Sequence, residues 1–395
     1  MGQRPEDDPF GAPPGDIWND VPLFREIQRV LSSSSGPVNW ELARQVGIAS
    51  ASWGGSDPAP TDDDQRGFED AVRLAELHVS GFTGLEPPSD LPQVRAVRRT
   101  EWVGQNLEGL RSVLEPAAER IGRAVTRAQE ESLPEVARGQ GMAQVLSQLS
   151  PLLLGAQVGT VLGALGRHVL GQYDIAVPRP GGAGALLFVV PNVEAFERDW
   201  SLDRTEFRTW VAIHEVTHRF EFARPWALPR FRSLIEDYTS TLRLDVEELQ
   251  RRLETLDPSN PEALREALGS GEGLFGAVLD DDQRFKLGRI QAFMSAAEGY
   301  GDHVMHALGA RLLGSYARIA EAMMRYRETE HADPVLDRLL GIEVKREQYR
   351  LGRAFCDAVV ELTDEPTLAR MWSDADALPS LPELDEPRLW LARKA

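Results

Sequence analysis

Residues 211–220 read VAIHEVTHRF and contain two histidines four positions apart, with a glutamate directly after the first. On an α-helix, residues four apart are separated by about 40° around the axis and about 6 Å along it, so His214 and His218 would face the same way. Two imidazoles in that arrangement can hold one zinc ion. Glu215 lies about 100° round the helix, where it can act as a general base on water activated by the metal. The pattern therefore predicts a zinc hydrolase site.

The residues around this motif indicate a helix that is apolar on more than one side, as in a helix inside a protein. The apolar positions are Phe207, Val211, Ile213, Val216 and Phe220. Arg219 departs from the longer zinc-peptidase consensus, which has uncharged residues around the second histidine. The alternative interpretation is a buried helix whose histidines make ordinary hydrogen bonds and whose Glu215 forms an ion pair.

A zinc peptidase needs a third protein ligand, and the residues after His218 do not continue into a three-histidine motif. Glu221 lies two turns from His214, too far along the helix axis to share its ion. The stretch 294–309, MSAAEGYGDHVMHALG, offers Glu298 on a predicted helix. We therefore predict Glu298 as the third ligand, the alternative being a capping or salt-bridged carboxylate.

Three further residues of the same stretch are candidates for supporting roles. Asp302 lies one turn after Glu298, where it can accept the free N–H of a ligating histidine and fix its tautomer. Tyr300 and His303 can donate hydrogen bonds to a reaction oxyanion and are predicted as catalytic. The alternative for Tyr300, His303 and also His306 is a position behind the ligands or on the surface.

Composition limits the classes of function. The chain has 395 residues and a net charge of −19, which argues against nucleic-acid binding and against anionic membranes. Cys356 is the only cysteine, so an internal disulfide and a cysteine-based metal cluster are excluded. Residues 1–10 lack the basic and apolar regions of a signal peptide, and we expect a cytoplasmic protein.

Hydrophobic periodicity predicts a mostly α architecture with one small sheet. The predicted regions are a disordered tail at 1–17, a helical region at 18–170, a catalytic region at 171–375 and a packed C-terminal tail at 376–395. Predicted helices include 21–31, one starting at Asn39, 64–80, 101–130, 133–170, 193–200, 203–223, 229–256, 261–269, 282–312, 313–328 and 343–363. The predicted strands are YDIAVP (173–178) and ALLFVV (185–190).

Two of these segments raise specific expectations. Residues 151–166 are apolar, with glycines at 155, 159 and 163 forming a smooth stripe. We predict a buried central helix there, the alternative being a membrane span. The strand ALLFVV is expected either to expose an edge that pairs with an extended substrate or to be buried without a substrate role.

The chain also resembles a known family. The stretches that carry the resemblance are HEVTHRFEFARPW, EGYGDHVM, KREQYRLGRAFCDAVV and LPSLPELDEPRLW, together with DDPFG and VLGQYDIAVP nearer the amino terminus. They are similar to an actinobacterial family of zincin-like hydrolases, often labelled zinc-dependent metalloproteases, of which a related branch is associated with coenzyme F420 biosynthesis. The resemblance implies a mainly helical zincin-like fold with zinc on His214, His218 and Glu298 and with Glu215 as the base.

Three functions remain open at this point. The first is a zinc peptidase that acts on a peptide or protein. The second is a zinc hydrolase for a non-peptide amide or ester, with the same groups. The third is a scaffold that holds zinc structurally, which would need a fourth protein ligand because structural zinc sites are closed. Only three plausible ligands are present, which favours an enzyme. The sequence leaves the oligomeric state open.

Overall fold

The computed structural model describes residues 36–111, 115, 142–173, 184–241, 281–329 and 342–394. These residues form a mainly helical fold with one three-stranded sheet, which confirms the predicted fold class. The predicted tail at 1–17 and the predicted helices at 21–31 and 261–269 lie outside the described residues.

The described elements follow in chain order. The helices before the motif are α1 (Trp40–Ser52), α2 (Asp62–Thr83), α3 (99–111), α4 (Met142–Gly166) and α5 (Val190–Asp199). The strands are β1 (Gln93–Val97), β2 (Gly171–Tyr173) and β3 (Ala185–Val189). The remaining helices are α6 (Arg204–Phe222), α7 (Ala227–Ser240), α8 (Asp281–Leu312), α9 (Tyr316–Thr329), α10 (Ile342–Leu362), α11 (Glu365–Ala369), a 3₁₀ turn (Arg370–Trp372), α12 (Leu381–Asp385) and α13 (Pro387–Lys394).

Side-chain caps fix where several of these helices begin. Asn39 accepts a hydrogen bond from the backbone N–H of Leu42 at the start of α1, as the sequence predicts. Thr61 and Asp64 form a reciprocal capping box at the start of α2. Asp203 accepts from the N–H of Glu206 and thereby starts α6, the helix that carries the two histidines.

The sheet has the strand order β1-β3-β2, with β1 parallel and β2 antiparallel to β3. Every residue of β3 is buried and both of its edges are paired, so the expectation that residues 185–190 expose an edge to substrate is wrong. The strand predicted at 173–178 is observed as 171–173, and 174–178 lie outside the described residues. Strand β1 was not predicted.

The glycine stripe of α4 packs on α1 within the same chain. A Cβ at Gly155, Gly159 or Gly163 would lie 2.3–2.5 Å from a backbone carbonyl oxygen of Asn39, Ala43 or Gly47. The glycine face of α4 is therefore buried, as predicted, whereas Leu153 on another side is 40% exposed, so α4 is not buried on all sides as a central helix would be. In the part of the chain that the structure describes, no helix has the length and apolar composition to cross a membrane.

Helices α8 and α10 cross at two glycines. A Cβ at Gly352 would lie 1.8 Å from the carbonyl oxygen of Ser295, and one at Gly299 would lie 2.1 Å from the carbonyl carbon of Gly352. The two backbones therefore touch directly beside Glu298. At the C-terminal end, Trp390 of α13 is fully buried and donates to the carbonyl of Ala377 at 2.7 Å.

The glycine crossing gives a stability prediction. Gly352→Ala is expected to lower the free energy of unfolding by about 1–3 kcal/mol, because the added methyl group forces two helix backbones apart. Urea denaturation measures the change. Gly81→Ala, where nothing lies within 4 Å of the added Cβ, is the matched control. Equal unfolding free energies for the two variants would contradict the close crossing.

Candidate metal centre

The centre lies between α6 and α8, which run antiparallel. Three contacts set their relative direction. A Cβ at Gly309 would lie 2.7 Å from the ring of Trp210, and one at Gly301 would lie 3.2 Å from the ring of His218. Further along, the rings of Phe222 and Phe293 are 5.7 Å apart. Residues later in α6 therefore contact residues earlier in α8, and the middle of each helix faces the other.

His214, His218 and Glu298 converge at this point. The two Nε2 atoms are 3.2 Å apart, and each lies 3.6 Å from Oε2 of Glu298. A tetrahedral zinc ion with bonds of about 2.0–2.1 Å separates its ligand atoms by about 3.3–3.4 Å. The observed spacings fit that geometry. Among the described residues, these three form the group of histidine and carboxylate side chains whose ligand atoms all lie within 4.8 Å.

Gly301 makes the close approach of the histidines to α8 possible. An added Cβ would lie 3.2 Å from Cε1 and Nδ1 of His214 and 3.2 Å from Cε1 of His218. The two imidazole rings therefore occupy the space that a side chain at this position would fill. Gly301 is three residues after Glu298, slightly less than one helical turn, and therefore lies near the same face of α8.

Glu221 supports His218 from behind. Nδ1 of His218 and Oε2 of Glu221 are 2.8 Å apart, and the Glu221 side chain is completely buried. With the proton on Nδ1 and donated to Glu221, the Nε2 lone pair is directed to the metal position. Sequence reasoning excluded Glu221 as a ligand and did not predict this role. Its i+3 spacing from His218 is the signal that could have found it.

The charges around His218 favour a cation. Burial lowers the pKa of His218, but Glu221 and Glu298 raise it more, so the pKa stands well above its usual value. Burial also raises the pKa of Glu221, against the opposing effect of His218. Two carboxylates thus surround the imidazole and stabilise a positive charge, which a divalent metal bound at Nε2 would supply instead of a proton.

Glu215, the residue after His214, is buried and is bonded to the sheet. Its Oε2 accepts a hydrogen bond from the backbone N–H of Tyr173 at 2.7 Å. A Cβ at Gly171 would lie 2.8 Å from Cγ of Glu215. The edge strand β2 therefore runs directly over the carboxylate that the sequence identifies as the base.

Arg219, the position that departs from the peptidase consensus, is buried and has two carboxylate partners. It forms ion pairs with Glu76 of α2 and with Asp90, and its side chain is 2% exposed. Arg208, also on α6, pairs with Asp64 at 3.0 Å and with Glu197 at 3.1 Å. These pairs attach α6 to α2 and α5, so the charge after the second histidine is compensated away from the metal position.

Asp302 contacts two residues that were not predicted as its partners. Its Oδ2 accepts a hydrogen bond from Arg353 of α10 at 3.2 Å and lies 3.7 Å from Nε2 of His306. For His218, the carboxylate that accepts the Nδ1–H is that of Glu221. For His214, support by Asp302 remains a prediction.

The structure does not bring Tyr300 and His303 to the face of α8 that carries Glu298. They point about 160° and 140° away from it around the helix. Tyr300 is buried against Trp372, and burial raises the pKa of its hydroxyl well above the usual range. Both ring nitrogens of His303 are bonded to carboxylates, Nδ1 to Asp357 at 2.7 Å and Nε2 to Glu365 at 3.0 Å. In this conformation His303 has no N–H left for an oxyanion.

The Glu221 contact gives a metal-affinity prediction. Glu221→Ala is expected to weaken zinc binding by about 10- to 100-fold, because His218 loses the acceptor that fixes its tautomer. Competition with a chromophoric chelator measures the affinity. Glu221→Gln retains an acceptor oxygen and should lose less. Wild-type affinity in Glu221→Ala, with an unchanged circular dichroism spectrum, would show that the contact does not tune the metal centre.

The His303 contacts give a pH prediction. Burial lowers the pKa of His303, but the hydrogen bonds to Asp357 and Glu365 raise it more, to about 9. Because the folded pKa exceeds the unfolded value, the protonated ring stabilises the fold fully below about pH 6.5. That stabilisation declines as pH rises through about 9.

His303→Gln should therefore lower the free energy of unfolding by roughly 2 kcal/mol at pH 6 and by clearly less at pH 10. Urea denaturation of both proteins at pH 6, 8 and 10 checks the trend. A difference that is equal at all three pH values would contradict the charged clamp.

The chain is similar to a solved structure and to a known protein family. A crystal structure from Chloroflexus aurantiacus, described as a "putative hydrolase with a novel fold", is 30% identical, covers 90% of this chain and 98% of its own, and superposes with a TM-score of 0.63. No curated protein matches the chain significantly. The model of the zincin-like metallopeptidase family matches residues 38–391. The chain therefore belongs to the zincin-like metallopeptidase family.

Proposed function

We propose that this protein is a zinc-dependent hydrolase and, within that class, a peptidase. The observation that carries the proposal is the convergence of the Nε2 atoms of His214 and His218 with Oε2 of Glu298 at 3.2 and 3.6 Å. Glu215 follows His214 directly on the same helix. Membership of a metallopeptidase family and similarity to a protein described as a hydrolase support it. The net charge of −19 favours peptide over nucleic-acid substrates.

The residues of the site have two functions: three would bind the ion, and Glu215 would transfer a proton. His214, His218 and Glu298 would hold zinc. When bound, zinc polarises the substrate carbonyl and makes water nucleophilic at neutral pH. Glu215 takes the proton from the attacking water and delivers it to the leaving amine. The backbone N–H of Tyr173 holds one oxygen of this carboxylate, and the other oxygen is left for the proton.

The number of ligands separates a catalytic from a structural zinc site. A structural zinc is closed by four protein ligands, whereas a catalytic zinc keeps one position for water or substrate. The metal-binding group of the described residues contains three side chains. A group of three ligands favours a catalytic zinc site over the structural zinc site of a scaffold protein. The same side chains would also hydrolyse a non-peptide amide or ester, and the family assignment is the reason to test peptides first.

The decisive variant is Glu215→Gln. It should retain zinc, because Glu215 is not a ligand, and should lose peptide hydrolysis by at least about 100-fold, because the proton acceptor is gone. Metal analysis and turnover of a peptide library measure the two properties. Glu361→Gln, on the exposed side of α10, is the matched control. Undiminished hydrolysis in Glu215→Gln would remove Glu215 as the base.

The ligand assignment is tested separately with Glu298→Ala. Loss of one of three ligands should abolish stoichiometric zinc under conditions in which Glu361→Ala binds one ion per chain. Full zinc affinity in Glu298→Ala would overturn the third ligand. A metal-replete wild-type protein without zinc would overturn the whole proposal, whereas zinc without hydrolysis of any library peptide would favour the scaffold.

A further inference from the structure

The outer edge of β2 makes an unusual contact with the candidate base. In the described sheet, β2 pairs with β3 on one side only. The N–H of Tyr173 does not join that ladder but donates to Oε2 of Glu215 at 2.7 Å. An N–H to a carboxylate is a charge-assisted bond and is stronger than a bond between neutral groups. The sheet therefore holds one oxygen of Glu215 directly through its backbone.

Gly171, two residues earlier on the same strand, limits where the rest of this side chain can lie. An added Cβ would be 2.8 Å from Cγ and 2.9 Å from Oε1 of Glu215, and 3.0 Å from Cγ1 of Val211. Glu215 is itself 6% exposed, so it has little room to move aside. The strand thus limits Glu215 at two places: the Tyr173 N–H bonds to Oε2, and Cγ and Oε1 lie close to where a side chain at position 171 would be.

We propose that β2 is the positioning element for the base, with Gly171 as a positioning residue and the Tyr173 N–H as the fixed donor. This inference rests on the proposed function and adds which oxygen is left for proton transfer: Oε1, since Oε2 is held by the Tyr173 N–H. The Tyr173 N–H fixes the position of Oε2. With Oε2 fixed, Cγ and Oε1 come close to position 171, and there is room for them because Gly171 has no side chain. A carboxylate fixed before reaction does not have to reorient during it.

The hydrogen bond can be tested without any turnover. The chain has six tyrosines, so protein labelled with ¹⁵N-tyrosine has six tyrosine amide signals. Tyr173→Phe identifies the signal of Tyr173 by its disappearance. In Glu215→Ala that amide should shift upfield and exchange with solvent at least about 10-fold faster, because its acceptor is gone. Glu361→Ala is the control. An unchanged Tyr173 amide in Glu215→Ala would overturn the inference.

The steric contact is tested by Gly171→Ala. We expect kcat to fall at least about 10-fold, with KM, zinc content and melting temperature close to wild type, because the methyl group displaces only the base. Gly104→Ala, where nothing lies within 4 Å of the added Cβ, is the matched control. Unchanged kcat in Gly171→Ala would overturn the positioning role, as would a kcat loss fully accompanied by loss of zinc or of stability.

The two measurements separate the inference from the function on which it rests. If the wild type hydrolyses no peptide, the proposed function fails, and the Tyr173 amide still decides whether β2 holds Glu215. If hydrolysis occurs and depends on Glu215 but the Tyr173 amide does not, the proposed function stands and the inference fails. Because the amide is compared between the wild type and Glu215→Ala, which both keep the sequence of β2, this measurement remains decisive even if Gly171→Ala does not fold.

Discussion

The close antiparallel packing of α6 against α8 is the contact on which the metal centre depends. Two ligands come from one helix and the third from the other, so neither helix can form the site by itself. Gly301 allows both imidazole rings to lie against α8, and the pairs Trp210–Gly309 and Phe222–Phe293 fix the register on either side. Because the ligands are assembled by tertiary packing, metal binding and folding are thermodynamically linked here, and a bound ion would stabilise this helix pair in particular.

Contacts on the outer sides of these two helices keep the pair in register. The buried pairs of Arg208 and Arg219 attach α6 to α2 and α5. On the other side, the backbone contact between Gly299 and Gly352 and the His303 clamp attach α8 to α10 and α11. Charged side chains on the outer sides of α6 and α8 thus hold these helices in place. The three ligand side chains are 11–14% exposed. This division explains why His303, a chemically suitable residue by type, is occupied by carboxylates.

Sequence periodicity was sufficient for the long helices and for the common face of His214 and His218, because both depend on spacing within one element. The helix predicted at 282–312 is observed at Asp281–Leu312, and it carries Glu298 to the histidines. Pairing across elements was not predictable in the same way. Strand β1 reads QVRAV and is a strand because it pairs with β3, and Asp302 bonds to an arginine 51 residues further along the chain. The partner of His218 depends on a rotamer that the i+3 spacing permits but does not impose.

The N–H of Tyr173 also bears on the solubility of the protein. An edge strand normally presents unpaired N–H and C=O groups, which serve as a template for aggregation through intermolecular β-pairing. On β2 the N–H of Tyr173 is covered by a carboxylate of the same chain. Glu215 there occupies the N–H that an added strand would otherwise bond. A substitution that removes this carboxylate would therefore take this cover from the edge of β2 as well as remove the proposed base.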